Sequence, residues 1–149
     1  MKDLRLQDNR GLAFASVEAK KANKHLMVLF VLSPGDYVAH HRAARRIDFT
    51  LRNLAMLQKE LDGLNIPLHV VTYTPRKSIP EKVVELLKSI GASHVYGNIE
   101  HEVDEARQLT ATYTLAQEAG IQAHWVHDGC VVPPGQLATK VCPDTLCWA

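Results

Sequence analysis

Four short apolar runs, set apart by stretches of helical period, constrain this chain more than any other feature. The longest, residues 25–33 (HLMVLFVLS), is too short to cross a membrane as a helix. It also lacks the alternation of a half-exposed strand, so it predicts a strand buried on both faces. Further strands are predicted over 68–73, 93–96 (broken by Gly97) and 121–126. Between them lie helical patterns. One runs to about Lys21 from a cap at Asp8 or Asn9, with Leu12, Phe14, Ala15 and Ala19 as its buried face. A long one spans 39–62, where Ile47, Leu51, Leu54, Met56, Leu57 and Leu61 recur at helical spacing. Two more cover 79–90, opened by Pro80, and 102–118, with Gly91 and Gly120 as their terminators. Pro34-Gly35-Asp36 reads as a turn. Connections of this length are too long for hairpins. They predict parallel strands with helices on both faces: an α/β fold of three layers.

The chain has 149 residues, which suits one domain and one core. A net charge of +1 leaves no global field to draw it to nucleic acid or to a membrane. No apolar run reaches the length of a membrane span, and the opening MKDLRLQDNR has no signal-peptide core. The cysteines, Cys130, Cys142 and Cys147, are odd in number and lack the C-x-x-C spacing of common zinc or redox sites. That usage fits a reduced, intracellular setting, nuclear or cytoplasmic. After Pro133-Pro134-Gly135 the periodicity stops, and residues 136–149 (QLATKVCPDTLCWA) read as an irregular tail.

Glycine-rich phosphate loops and the G-x-S-x-G elbow are absent, so neither a dinucleotide fingerprint, a P-loop nor a hydrolase nucleophile is indicated. The stretch 98–107, NIEHEVDEAR, stands out instead, because it follows a predicted strand and opens a helix. Ligands of α/β domains settle beyond the carboxyl ends of parallel strands. Glu100, Glu102, Asp104 and Glu105 crowd the first turns, where the helix dipole favours acids. They read equally as a solvated helix start or as acceptors for a ring N–H on a ligand. His40 and His41 are neighbours that would point to different faces of a helix, a poor metal site that leaves a ligand-lining role for one of them. Arg42, Arg45, Arg46 and Arg52 give a basic helix face, either solvated or able to meet phosphates. His124 and His127 read as packing around Trp125, and Cys130 as a small hydrophobe.

Several stretches in register resemble the N-terminal α/β domain of the DNA photolyase/cryptochrome family, in particular the class I cyclobutane pyrimidine dimer photolyases. Asp3-Leu4-Arg5-Leu6 with Asp8-Asn9 and Leu12 is similar to D-L-R-x-x-D-N-x-x-L. Arg46, Asp48, Phe49, Leu51 and Leu54 match R-x-D-F-x-L-x-x-L, and Leu61, Leu64-Asn65-Ile66-Pro67-Leu68 continue it. Asn98, Glu102, Asp104 and Glu105 resemble N-x-x-x-E-x-N-E, with Asp104 in place of Asn. His127-Asp128 and Pro133-Pro134-Gly135 match H-D-x-x-x-x-P-P-G.

The resemblance implies a Rossmann-like domain over 3–135 that holds a light-harvesting chromophore. In folate-type members this is methenyltetrahydrofolate, lying against a helical domain that binds FAD. The folate-contacting pair falls on Asp104 and Glu105, and a histidine near the folate falls on His40. An ionised Asp104 accepts hydrogen bonds only, whereas the amide it replaces also donates. Family members begin with a hydrophobic strand at the centre of the sheet. Only Met1-Lys2 precedes Asp3 here, so the resemblance implies that the first central strand is missing. It also implies that flavin, DNA contact and repair belong to a region not included, so that this stretch alone is not catalytic. Alternatives are an interaction or regulatory module that keeps the α/β shell, and a small nucleotide-binding domain. A sheet lacking its central strand further predicts self-association.

Overall fold

The computed structural model describes residues 4–136. The resemblance at Asp3, Cys142, Cys147 and all but the first residue of the predicted tail lie outside them. Asn9 caps the first helix, α1 (Arg10–Lys21), its side-chain oxygen accepting from the Leu12 amide. Strand β1 (Val28–Leu32) follows, then α2 (Pro34–Ala39), α3 (Ala44–Asp62) and β2 (Leu68–Thr72). A single 3₁₀ turn (Arg76–Ser78) leads into α4 (Ile79–Ser89), β3 (His94–Asn98), α5 (Val103–Glu118) and β4 (Gln122–Val126). Gly91 and Gly120 adopt φ of +66° and +73° immediately beyond α4 and α5, where a residue without Cβ is least strained.

All pairing is parallel: β1 with β2, and β3 with β4. Among the described residues no ladder joins the two pairs, so the expected continuous sheet is two small ones. Their union lies in the core. Leu29 and Val31 of β1 pack with Val83, Val84 and Leu87 of α4, Ala116 of α5 and Ala123 of β4. The alternate residues Val28, Phe30 and Leu32 pack with Leu54, Leu57 and Leu61 of α3. Strand side chains alternate between faces, so one five-residue strand divides two helical layers, and the three-layer α/β arrangement holds.

The segment 34–62 departs from its predicted form. Pro34-Gly35-Asp36 opens a helix instead of a turn, because proline suits a first helical position. The long helix expected over 39–62 is broken at His40–Ala43. His40 caps α2 and His41 takes φ +47°, so the pair does not lie on a helix face. The Arg42 amide donates back to Tyr37 O at 2.8 Å, and its guanidinium sits 5.5 Å from the Tyr37 ring centre. Of the predicted buried faces, Phe14, Leu51 and Met56 are exposed. Met56 lies about 200° around α3 from Leu54 at 100° per residue, on the side away from the core. Strand β3 also continues through Gly97, since a side chain there would meet the Trp125 ring at 2.7 Å.

Candidate functional site

The carboxyl ends of β1, β2 and β3 point their loops to one place, and Arg76 ties them together. Its Nη1 lies 3.2 Å from Asp36 Oδ2 and its Nη2 3.4 Å from Glu105 Oε1. Asp36 sits on α2 after β1, Arg76 on the turn after β2, and Glu105 on the first turn of α5 after β3. All three side chains are largely buried, Glu105 the most at 13% exposure. These distances exceed the 2.7–2.9 Å or so of tight charge-assisted bonds, so the cluster joins three loops without locking them. Two carboxylates share one guanidinium.

Two buried polar atoms accompany this cluster with no hydrogen-bond partner. Ser33 Oγ stands at the end of β1 in a residue only 7% exposed, and Gln108 Nε2 lies one turn along α5 from Glu105. Both are groups that ordinarily find partners when buried. The arrangement offers carboxylate acceptors, an amide donor and a hydroxyl near the strand ends. It offers no nucleophile paired with a base. Among the described residues no group of three metal-ligating side chains is assembled.

The predicted site residues separate in space. Glu105 turns inward to Arg76. Asp104, about 100° further round the helix, faces solvent and lies 3.5 Å from Arg107 Nη1. His40 is exposed at the end of α2. The structure therefore brings Glu105 into the cluster and leaves Asp104 and His40 outside it. Arg76, Asp36, Ser33 and Gln108 were missed. The strand-end rule that singled out the loop after β3 applies equally to the loops after β1 and β2, and would have found Asp36 and Arg76.

A second polar network joins three of the motif stretches to one another. Asn98 Oδ1 accepts from the Gly11 amide at 2.9 Å, and its Nδ2 donates to Asn9 Oδ1 at 2.9 Å and Asp128 Oδ2 at 3.3 Å. Asp128 also pairs with Arg5 at 2.6 Å, while Arg10 donates to His127 O at 3.0 Å. The opening stretch, the end of β3 and the His127-Asp128 pair are thus one fastening. Nearby, Cys130 is not merely a small hydrophobe: its Sγ lies 3.3 Å from His101 Nε2, and the His101 ring stacks on His127 with centroids 6.0 Å apart. His124 is exposed, and its ring stacks on Tyr96 at 4.7 Å rather than packing into the core.

Comparison with known proteins gives a consistent result. The family model for DNA photolyase matches residues 1–144. The deoxyribodipyrimidine photo-lyase of Neurospora crassa is 49% identical over 139 residues, which are 91% of this chain and 23% of that protein. The Vibrio cholerae protein of the same name is 32% identical over 139 residues, 93% of this chain and 29% of the relative. That of Salmonella typhimurium is 29% identical over 138 residues. The chain thus spans about a quarter of the length of these relatives.

Proposed function

The chain belongs to the DNA photolyase family, and from that premise we propose that residues 3–135 are the chromophore-holding α/β domain of a deoxyribodipyrimidine photolyase. In this reading the whole polypeptide repairs pyrimidine dimers by light-driven electron transfer from reduced FAD. Flavin and DNA are held by a helical region outside this quarter. The setting is intracellular, nuclear or cytoplasmic; among the described residues no helix is long and apolar enough to cross a membrane. The chromophore proposed for this domain is methenyltetrahydrofolate, which when bound absorbs near-ultraviolet light and passes the excitation to flavin.

The observation that carries the proposal is the strand-end cluster, where Glu105 turns inward beside an unpartnered amide donor. The donor set fits a pterin ring. Carboxylates of Glu105 and Asp36 accept from a ring N–H and an exocyclic amine, and Gln108 Nε2 donates to a ring carbonyl. Asp104 and His40 are assigned to the outer edge of such a ligand, toward the helical region. A charge-assisted bond is worth roughly 1.5–3 kcal/mol, so its loss weakens binding by about ten- to a hundredfold.

The test is a titration of the chain with methenyltetrahydrofolate, followed by its near-ultraviolet band, beside Glu105→Gln checked for equal folding. The expected result is saturable binding that weakens in the variant. Equal binding by both would remove Glu105 from the site. One observation favours the alternative of an interaction or regulatory module: Arg76 already bridges Asp36 and Glu105, so the cluster can serve purely to join loops. A chain that takes up no folate and whose Arg76→Ala variant only loses stability would support that second reading.

A further inference from the structure

The outer face of α3 carries a regular seam that neither the core nor the strand-end cluster uses. Arg45, Phe49, Arg52, Met56 and Lys59 are all exposed and follow one another at spacings of four, three, four and three residues. At 100° per residue they fall within one strip opposite Leu54, Leu57 and Leu61. Phe49 is 68% and Met56 62% exposed, unusual for large apolar side chains on the polar side of an amphipathic helix. Among the described residues Arg45 and Lys59 have no carboxylate partner. Arg52 has only the exposed Asp48 of its own helix, at 2.9 Å.

We propose that this strip is a docking surface for an acidic amphipathic helix of another polypeptide. Alternation of three and four residues is the repeat of helix-to-helix seams, and here cations and apolar residues occupy its two positions. The cations recur every seven residues, about 10.5 Å along the axis, and the seam is about 21 Å long. A partner helix with Glu or Asp at one seam position and Leu at the other has the same period, meets each cation with an acid and covers Phe49 and Met56. A second copy of this chain fits less well, because parallel pairing sets cation against cation, and antiparallel pairing sets Arg45 and Arg52 against Met56 and Phe49 with no acid to meet them. A phosphate backbone fits less well, since Asp48 and Glu60 flank the strip on either side. This inference is independent of any ligand at the strand ends.

The probe is a fluorescein-labelled synthetic peptide of about three helical heptads, with Glu and Leu at the two seam positions. It is titrated with the whole chain by anisotropy. The expected result is saturable binding that weakens as salt is raised. In Arg45→Glu/Arg52→Glu affinity falls about tenfold or more, with a melting curve shifted only slightly, since the Arg52–Asp48 pair that is lost is exposed. A peptide carrying Lys for Glu then binds the reversed variant better than the original chain. Phe49→Ser weakens binding without altering the salt response. The proposal is overturned if the acidic peptide does not bind or the reversed variant binds it equally. Tighter binding of oligothymidylate or phosphatidylserine vesicles through Arg45 and Arg52 also overturns it. So does a dimer of the chain itself that Arg52→Glu dissolves.

Discussion

Asn98 Nδ2 donates to Asn9 Oδ1 at 2.9 Å across 89 residues of sequence, and the acceptor is the same oxygen that caps α1. One side chain therefore links the end of β3 to the start of the first helix. Its carbonyl oxygen meanwhile holds the Gly11 amide. Asn98→Ala takes the acceptor from the part-buried Gly11 amide, while Asn9 Oδ1 keeps the Leu12 amide, and the expected loss is about 1–3 kcal/mol. Urea unfolding of the two chains checks it.

Gly11 and Asn98 are coupled by shape as well. A Cβ at Gly11 would stand 2.7 Å from Asn98 Oδ1 and 3.3 Å from the Gly97 carbonyl carbon. Gly11→Ala should cost about 1–3 kcal/mol through overpacking. Adding it to Asn98→Ala should cost less than the sum, because the closer of the two clashes is then gone. Additive losses in a double-mutant cycle would show that the backbone contact alone sets the cost.

Removing Arg76 leaves Asp36 and Glu105 close together and largely buried. Arg76→Ala should destabilise by about 2 kcal/mol, below the 3–5 kcal/mol or so of a fully buried pair because some exposure remains. Arg76→Lys should recover only part of this, since a single ammonium cannot present two separate N–H donors in a fixed fork. Thermal melts of the three chains decide it, with added protease susceptibility in the segments 33–36 and 74–78 expected for the Ala form.

Burial holds the Tyr96 phenol above its ordinary value near 10, with the Glu18 charge adding to the effect and Lys21 opposing it. A raised value in the folded chain means that the unfolded chain loses its proton first as pH rises. The stabilisation is therefore complete below about pH 10 and is lost as pH climbs through the folded value. Denaturation midpoints should fall between pH 9 and pH 11, and fall less in Tyr96→Phe. Absorbance at 295 nm should show one tyrosine titrating late.

Among the described residues no ladder joins the two parallel pairs, so each strand pairs along one edge only. Open strand edges invite pairing with other chains. The chain should self-associate at micromolar concentration or melt with low cooperativity. Sedimentation combined with a melt at several dilutions tests this, and a cooperative melt from a dilute monomer counts against it.

The order of strands and helices was legible because hydrophobic period and chain punctuation are local properties. Asn9, Pro80, Gly91 and Gly120 mark boundaries that the structure keeps within a few residues. The break at His40–Ala43 was not legible, since AHHRA contains neither glycine nor proline to mark the left-handed turn at His41. Glu105 was reachable from its place after a strand. Its ion pair with Arg76 was not, because the meeting of three loops depends on how strands distant in sequence are arranged. The exposure of Met56 is a matter of phase: it shares the period of the buried leucines only loosely, and two positions from Leu54 it falls on the opposite side of α3.

Strand β1 gives Leu29 and Val31 to one core and Phe30 to the other. Inherited variation along five residues is thus sorted by parity. A change at 29 or 31 retunes the half that carries α4 and α5, and a change at 28, 30 or 32 retunes the half that carries α3. The two halves can drift at separate rates while sharing a wall, so long as no single replacement alters the backbone pairing of Phe30 with Val70.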